Sequence, residues 1–364
     1  MASRFFNVEK AGRRGKNLSL DDMTLKLCQF VAEKEGVSPD QVQIKNLSRL
    51  PGGSSRLLWS VKVEISVNSE TRVLDIVLRQ DPPGRITAGG METEFLLLRA
   101  AARANVRVPR VYWCEPQLET LGAPFFAMDR LKGETIPRRL LRDEKYQGAR
   151  AHLCSQLGRQ LAAIHSIPID GSELAGRLQQ PLDSAEAAKG EVERLIAGYR
   201  AAALEPHPVL DLAARWLLAH LPVSSSLGLV HGDFRIGNMM FDEEGLVAVL
   251  DWELAHIGDP AEDLAWLCVK AWRFGHDDLA VGGLGTREEL LQAYESAGGG
   301  QVERSALHFW EVLGNFKLAL VFITQARAFL DGAHATVELA SLGRRIAEPE
   351  AELLHLMRYD PTTG

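Results

Sequence analysis

The chain is predicted to be an α+β protein, with an N-terminal antiparallel sheet carrying one key helix and a larger, mostly helical C-terminal part. Three observations predict this. Between residues 41 and 129, short runs rich in β-branched and aromatic residues are separated by Gly, Pro, Asn and Asp clusters. From residue 130 onward, apolar residues recur mainly at helical spacing. One strand–turn–strand signal interrupts that helical pattern: Met239-Met-Phe, then Asp242-Glu-Glu-Gly245, then Leu246-Val-Ala-Val-Leu250.

Taken in order, the first forty residues add a helix over Leu20 to Gly36, capped by Ser19 or Asp21, as an extension of its own. Met1 to Lys16 is charged and lacks an apolar core, which excludes a secretory signal. Strands are expected over Gln41–Leu47, Leu57–Ile65 and Val73–Arg79, the last ending before Asp81-Pro-Pro-Gly84. Met91 to Asn105 reads as a helix whose apolar row is Phe95, Leu98 and Ala102, with Leu97 and Ala101 beside it. Val106–Cys114 and Ala123–Asp129 complete a strand-rich unit spanning 41–128. The remainder, 129–364, reads as helices over Gln156–Ile164, Val192–Ala203, Asp211–Leu221, Arg287–Ala297 and Ala306–Leu330. Tryptophans 216, 266, 272 and 310 are expected to serve their core.

The segment Leu229-Val-His-Gly-Asp-Phe-Arg-Ile-Gly-Asn238, followed by Val249-Leu-Asp-Trp-Glu253, carries the chemistry. It sets a carboxylate and a carboxamide five positions apart on a tight loop, with a second carboxylate at the far end of the hairpin. Gly232 permits a turn closed to bulkier residues. A hairpin brings its ends together, so Asn238 and Asp251 are expected to face one metal ion. Asp and Asn alone are ordinary turn residues. Three oxygen-bearing groups at this spacing suit phosphoryl transfer from ATP: Asp233 takes or orients a hydroxyl proton, while Asn238 and Asp251 hold Mg2+.

The spacing His231-Gly-Asp-x-x-x-x-Asn238 is that of the protein-kinase catalytic loop with Gly in place of Arg. The chain thereby resembles the aminoglycoside phosphotransferase and choline kinase superfamily of protein-kinase-like small-molecule kinases. The resemblance implies a protein-kinase-like two-lobed fold with ATP and Mg2+ as cofactors. It gives Arg235 the place of a residue that steadies the transferred phosphate, although a solvated loop arginine fits that position equally. It makes His231 a scaffold group and Asp263 a brace for the catalytic loop. Asp259, Pro260 and Glu262 read as the N-cap, first position and capping-box partner of the helix that carries Asp263.

Upstream, Ser48-Arg-Leu-Pro-Gly-Gly-Ser-Ser-Arg56 lies between two strands. Such a loop can lay backbone N–H groups over ATP phosphates, with Gly52, Gly53, Ser54, Ser55 and Arg56 as the groups concerned. A plain hairpin turn explains the same Pro-Gly-Gly, and only its place ahead of the catalytic motif favours the phosphate reading. Arg79 stands where protein kinases carry a phosphate-binding Lys, a departure that keeps the charge but lengthens the side chain. Glu94 borders the apolar face of the next helix and is expected to pair with Arg79, with Glu92 as the other candidate. Met128, Asp129 and Arg130 occupy the crossing where the resemblance places adenine binding, although Met128 also reads as core.

The composition excludes several classes. A net charge of −7 argues against broad nucleic-acid binding. Leu318–Ala326 is an apolar run too short to span a membrane. Cysteines 28, 114, 154 and 268 show neither metal-ligand nor disulfide spacing, as expected of a cytoplasmic protein. Oligomeric state leaves no trace in the sequence. The expected partner is a small-molecule hydroxyl acceptor. Cys268-Val-Lys-Ala-Trp-Arg-Phe-Gly275 and Trp310-Glu-Val-Leu-Gly-Asn-Phe-Lys317 resemble the kinase-like domains fused to acyl-CoA dehydrogenases, which implies a hydroxyacyl-CoA-type acceptor, with Lys270 and Arg273 able to meet an anionic group or to end a solvated helix. An aminoglycoside is the alternative, with Asp277-Asp278 and Glu288-Glu289 as its thin support. A nucleotide-binding pseudokinase is the reading from another class, and Arg79 is its only support.

Overall fold

The computed structural model describes residues 18–51, 56–82, 90–222, 226–332 and 336–358. The chain divides into two compact units: one holds residues 108–132 and the described part of 9–103, and the other holds 104–107 and the described part of 133–364.

The first unit is built on five antiparallel strands, β1 (Val42–Arg49), β2 (Leu57–Val67), β3 (Glu70–Gln80), β4 (Val111–Glu115) and β5 (Phe125–Asp129), in the order β1-β2-β3-β5-β4. β2 and β3 are joined through Asn68 and Ser69, with φ of 48° and 68°. Two consecutive left-handed residues match the twist of a tight hairpin, which gives this pair its full-length register. Along β2, Val61, Val63 and Ile65 are buried and alternate with the more exposed Lys62 and Glu64.

Helix α1 (Leu20–Glu35) starts at Ser19, whose side chain accepts from Asp22 N, and stops at Gly36 with φ 68°. Its stripe Met23, Leu27, Phe30 and Val31 joins the sheet residues in one core, and the Phe30 and Phe125 rings meet edge to face at 5.1 Å. This helix therefore belongs to the sheet unit and is not an extension of its own. A sheet face of this size needs a cover, and α1 supplies it. Helix α2 (Gly90–Arg103) packs by Phe95 against Phe126. Phe125 and Phe126 are adjacent on β5, so α1 and α2 lie on opposite faces of the sheet. Ala102, expected in the apolar row of α2, is exposed, and Met91 and Leu96 are buried instead.

The second unit holds α3 (Pro137–Arg142), α4 (Gln147–His165), α5 (Ser184–Ala202) and α6 (Pro208–Ala219), then short strands β6 (Gly228–Val230), β7 (Met239–Phe241), β8 (Leu246–Val249) and β9 (His256–Gly258). Helices α7 (Ala261–Cys268), α8 (Arg287–Ser296), α9 (Arg304–Leu330), α10 (Val337–Leu342) and α11 (Ala347–Leu356) follow. α9 is the axis of this unit. It is buried almost all round from Ala306 to Leu320, so its apolar residues show no one-sided stripe. Its length and hydropathy would suffice to cross a membrane, contrary to the short run read from the sequence. In this fold, 94% of its most apolar window is buried against protein, which makes it a core helix.

Candidate active site

Two small antiparallel ribbons frame the catalytic segment. β6 pairs with β9, opposing Leu229 to Ile257, and β7 pairs with β8, opposing Met239 to Val249. The expected hairpin is present. Its turn closes where Asp242 Oδ1 accepts from Glu244 N and Gly245 N, with Gly245 at φ 131°. Beyond the paired strands, Leu250 N donates to Asn238 O at 2.8 Å. Asn238 is thus held opposite the residue that precedes Asp251. Asp251 itself adopts φ 65°, ψ 67°, a left-handed conformation that Asp tolerates better than bulkier residues.

Gly232 has φ 78°, and a Cβ there would lie 2.5 Å from Leu254 O. Backbone would have to move to admit any side chain. Gly232→Ala is expected to destabilise the protein by about 1–3 kcal/mol through strain at this turn. The check is a lowered denaturation midpoint with the far-UV circular dichroism retained.

The loop is braced from beneath by Asp263 of α7, which is fully buried. Its Oδ2 accepts from His231 N at 2.7 Å and its Oδ1 from Gly232 N at 2.9 Å. His165, at the end of α4, lies with Nε2 3.2 Å from Asp263 Oδ2, and its Nδ1 lies 2.9 Å from the Tyr294 hydroxyl. Burial works against charge on Asp263, but His165 and the backbone donors outweigh it, so the carboxyl sits below its ordinary range.

His231 is a scaffold group. Asp233 N donates to its Nδ1 at 3.2 Å, so the proton sits on Nε2, which donates to Leu250 O at 3.1 Å. One neutral imidazole thereby ties the loop of Asp233 to the strand that leads to Asp251. Burial lowers its pKa, which keeps it neutral.

Asp233 gathers three donors. Its Oδ1 receives Trp266 Nε1 at 2.8 Å and Arg235 Nε at 3.1 Å, and its Oδ2 receives Asn238 Nδ2 at 2.6 Å. The Arg235 guanidinium is laid over the Trp272 ring at 4.8 Å. Trp266 was expected to serve the core only. It is a site residue that sequence spacing cannot reveal, because it reaches Asp233 from 33 positions away. The donor set also suits Mg2+. Asn238 spends its Nδ2 on Asp233, which turns its Oδ1 away without a donor among the described residues. No cluster of three or more His, Cys, Asp or Glu forms a cage among the described residues. A hard cation held by a few protein oxygens and by substrate phosphates fits such a set.

The sheet unit places the other candidates as follows. Gly52, Gly53, Ser54 and Ser55 lie outside the described residues. Arg79 Nε is 3.2 Å from Glu94 Oε1, the pair that the helix spacing suggests. Arg56 does not present itself as a phosphate-facing side chain. It is 6% exposed, with Nε 2.9 Å from Asp81 Oδ1 and Nη1 paired to Glu94. Two buried carboxylates demand a cation, and Arg56 supplies it. Met128 and Asp129 are half-buried, and Arg130 is exposed. Asp129 Oδ1 accepts from Tyr112 OH at 2.5 Å, which, after burial, raises the Tyr112 phenol to about 12. Arg130 Nη1 is 3.7 Å from Asp75 Oδ1.

Several expectations in the helical unit are corrected. Glu262 does not complete a capping box. It pairs with His256 at 3.0 Å and Lys317 at 3.7 Å, while Asp259 Oδ1 accepts from Ala261 N. Burial opposes charge on His256, but Glu262 outweighs it and lifts the imidazole to about 9. Arg273 is 7% exposed and bonded to Glu311 and to Cys268 O, so it is committed inside the unit. Lys270 pairs with Glu352 at 3.2 Å. The Gly282-Gly-Leu-Gly285 loop packs on the segment that carries Asp233, because a Cβ on Gly282 would lie 2.6 Å from Ile236 Cγ2.

Residues 48–304 match the model of a family described as the phosphotransferase enzyme family. Among relatives, the chain is 30% identical to acyl-CoA dehydrogenase family member 10 of Mus musculus over 60% of its own length and 21% of that protein. The chain therefore spans about a fifth of that relative's length. Among solved structures, it resembles an aminoglycoside phosphotransferase-like protein from Ralstonia eutropha with a TM-score of 0.69 at 23% identity, covering 90% of this chain and 97% of that one. It also resembles aminoglycoside phosphotransferase APH(4)-Ia in a ternary complex with AMP-PNP and hygromycin B, with a TM-score of 0.60 at 17% identity, covering 91% and 98%.

Proposed function

The chain belongs to the phosphotransferase enzyme family, and from that premise we propose that it transfers the γ-phosphate of ATP to a hydroxyl of a small molecule. One observation carries the reading: Asp233, Asn238 and the residue before Asp251 are locked into one hydrogen-bonded unit by the hairpin and by His231. Asp233 accepts the proton of the acceptor hydroxyl as the acceptor oxygen bonds to the γ-phosphorus. The bond from that phosphorus to the β–γ bridging oxygen breaks, and ADP leaves with the electron pair. Asn238 Oδ1 and the Asp251 carboxylate would hold Mg2+, which when bound neutralises phosphate charge. Arg235 lies beside Asp233, where a cation can stabilise the charge developing on the phosphoryl oxygens. Arg79, steadied by Glu94, is assigned to the nucleotide phosphates. ATP use is supported by the AMP-PNP complex of the solved neighbour.

For the acceptor we favour a hydroxyacyl-CoA-type alcohol, which the name of the mouse relative supports. An aminoglycoside acceptor is the alternative, supported by the hygromycin B complex of the solved neighbour. The test is mass spectrometry of phosphate adducts after incubation with Mg-ATP and a panel of hydroxyacyl-CoAs, aminoglycosides and choline-like alcohols. An adduct formed by the wild type and not by Asp233→Asn is expected. ATP binding without an adduct on any panel member would favour a pseudokinase. Asp251→Ala is expected to weaken Mg-ATP binding at least about tenfold in calorimetry, since it removes an anionic metal ligand. Undiminished affinity would move the metal elsewhere.

A further inference from the structure

A carboxylate offers about four lone-pair positions, two on each oxygen. On Asp233, Oδ1 receives both Trp266 and Arg235, whereas Oδ2 receives Asn238 alone. Among the described residues, Oδ1 is therefore filled and Oδ2 keeps one position open. The indole that fills Oδ1 is itself held in place. Trp266 is 5% exposed on α7, and its ring meets the edge of Trp272 at 5.4 Å. The Lys317 ammonium, on α9, lies 4.8 Å over the Trp266 ring. The same ammonium donates to Gly232 O at 2.8 Å, so it grips both the catalytic loop and the indole. Gly314, one turn before Lys317, lets α9 approach: a Cβ there would lie 2.8 Å from Val269 Cγ2 and 3.3 Å from Trp266 Cε3. A bulkier residue would push the two helices apart.

We propose that Trp266, clamped by Lys317, is a positioning residue that commits Asp233 Oδ1 to the protein and leaves Oδ2 as the atom that takes the acceptor proton. The proposal rests on the reading of Asp233 as the acceptor base. The proton moves from the acceptor oxygen to Oδ2 as the new oxygen–phosphorus bond forms, while the indole N–H stays on Oδ1 throughout.

Two readouts test this with the full-length protein. The first is the indole resonance of Trp266 in protein labelled with 15N-tryptophan, assigned by its loss in Trp266→Phe. Its proton should lie downfield in the wild type, as a hydrogen bond to a carboxylate requires, and move upfield in Asp233→Asn. The second is the split between kcat and KM for ATP hydrolysis with water as the acceptor. Trp266→Phe should lower kcat about tenfold, with KM for Mg-ATP within about twofold. Lys317→Met should lower kcat in the same way, and Lys317→Arg should restore it. An indole resonance indifferent to Asp233→Asn overturns the proposal. So does a Trp266→Phe variant whose folded fraction keeps the wild-type kcat, because a purely structural role lowers the amount of folded protein without lowering its turnover. A wild type that transfers phosphate to neither water nor any acceptor in the panel overturns the base assignment, and this proposal with it. An active wild type with an unchanged kcat in Trp266→Phe overturns this proposal alone.

Discussion

Asp233→Asn is expected to fold as the wild type does and to lose about 10²–10⁴-fold in turnover, the range for removing a positioned general base. The carboxamide matches the carboxylate in size and keeps one oxygen for the donors from Trp266 and Arg235, while its amide nitrogen takes the place of Oδ2 beside Asn238. What it lacks is the ability to take a proton. The side chain is 17% exposed, which limits the cost of the change to folding. Unchanged circular dichroism and an unchanged affinity for Mg-ATP, beside the loss of turnover, are the expected results. A fully active variant would remove Asp233 from the reaction.

Asp263→Asn should show the opposite balance, with a large loss of stability and activity falling as its consequence. Asp263 is buried and takes two backbone N–H groups with separate oxygens, as well as His165. A carboxamide turns one of those oxygens into an N–H donor aimed at another donor. Removing one partner of a buried charged network costs about 3–5 kcal/mol. Chemical denaturation should place its midpoint well below that of Asp233→Asn, and equal midpoints for the two variants would refute the brace. The folded-state pKa of Asp263 lies below its unfolded value of 3.8. Its contribution is therefore fully present above pH 3.8 and is lost as the pH falls through the folded value. His256 acts in the other direction. Its pKa is raised from 6.5 to about 9, so its contribution is complete below pH 6.5 and is lost as the pH rises through about 9.

Some expectations failed for a shared reason. Arg56 read as a phosphate ligand because a Gly-Ser loop precedes it, yet Asp81 and Glu94 claim it inside the sheet unit. Arg273 read as a possible contact for an anionic substrate, yet Glu311 on α9 neutralises it. In each case the partner lies 25 or more positions away in the chain. Sequence spacing says which residues are charged, but not which opposite charge is nearest once the chain is folded. The first helix shows the same limit for apolar surface. Its span was readable, whereas the sheet that it covers was not.

By itself, the sequence determined what depends on near neighbours. The 3.6-residue repeat placed the longer helices, though not α3, α10 or α11, and alternation with turn residues placed the strands of the sheet unit and the hairpin β7–β8. The hairpin from Met239 to Val249 also brought Asn238 beside Leu250 and so set the order of the catalytic groups. Only the tertiary structure decided what converges on Asp233 from afar. Trp266 comes from α7, Lys317 comes from α9 to grip the loop at Gly232, and His165 comes from α4 to steady Asp263. The physical reason is that a hydrogen bond acts over about 3 Å of space, whatever length of chain lies between its partners.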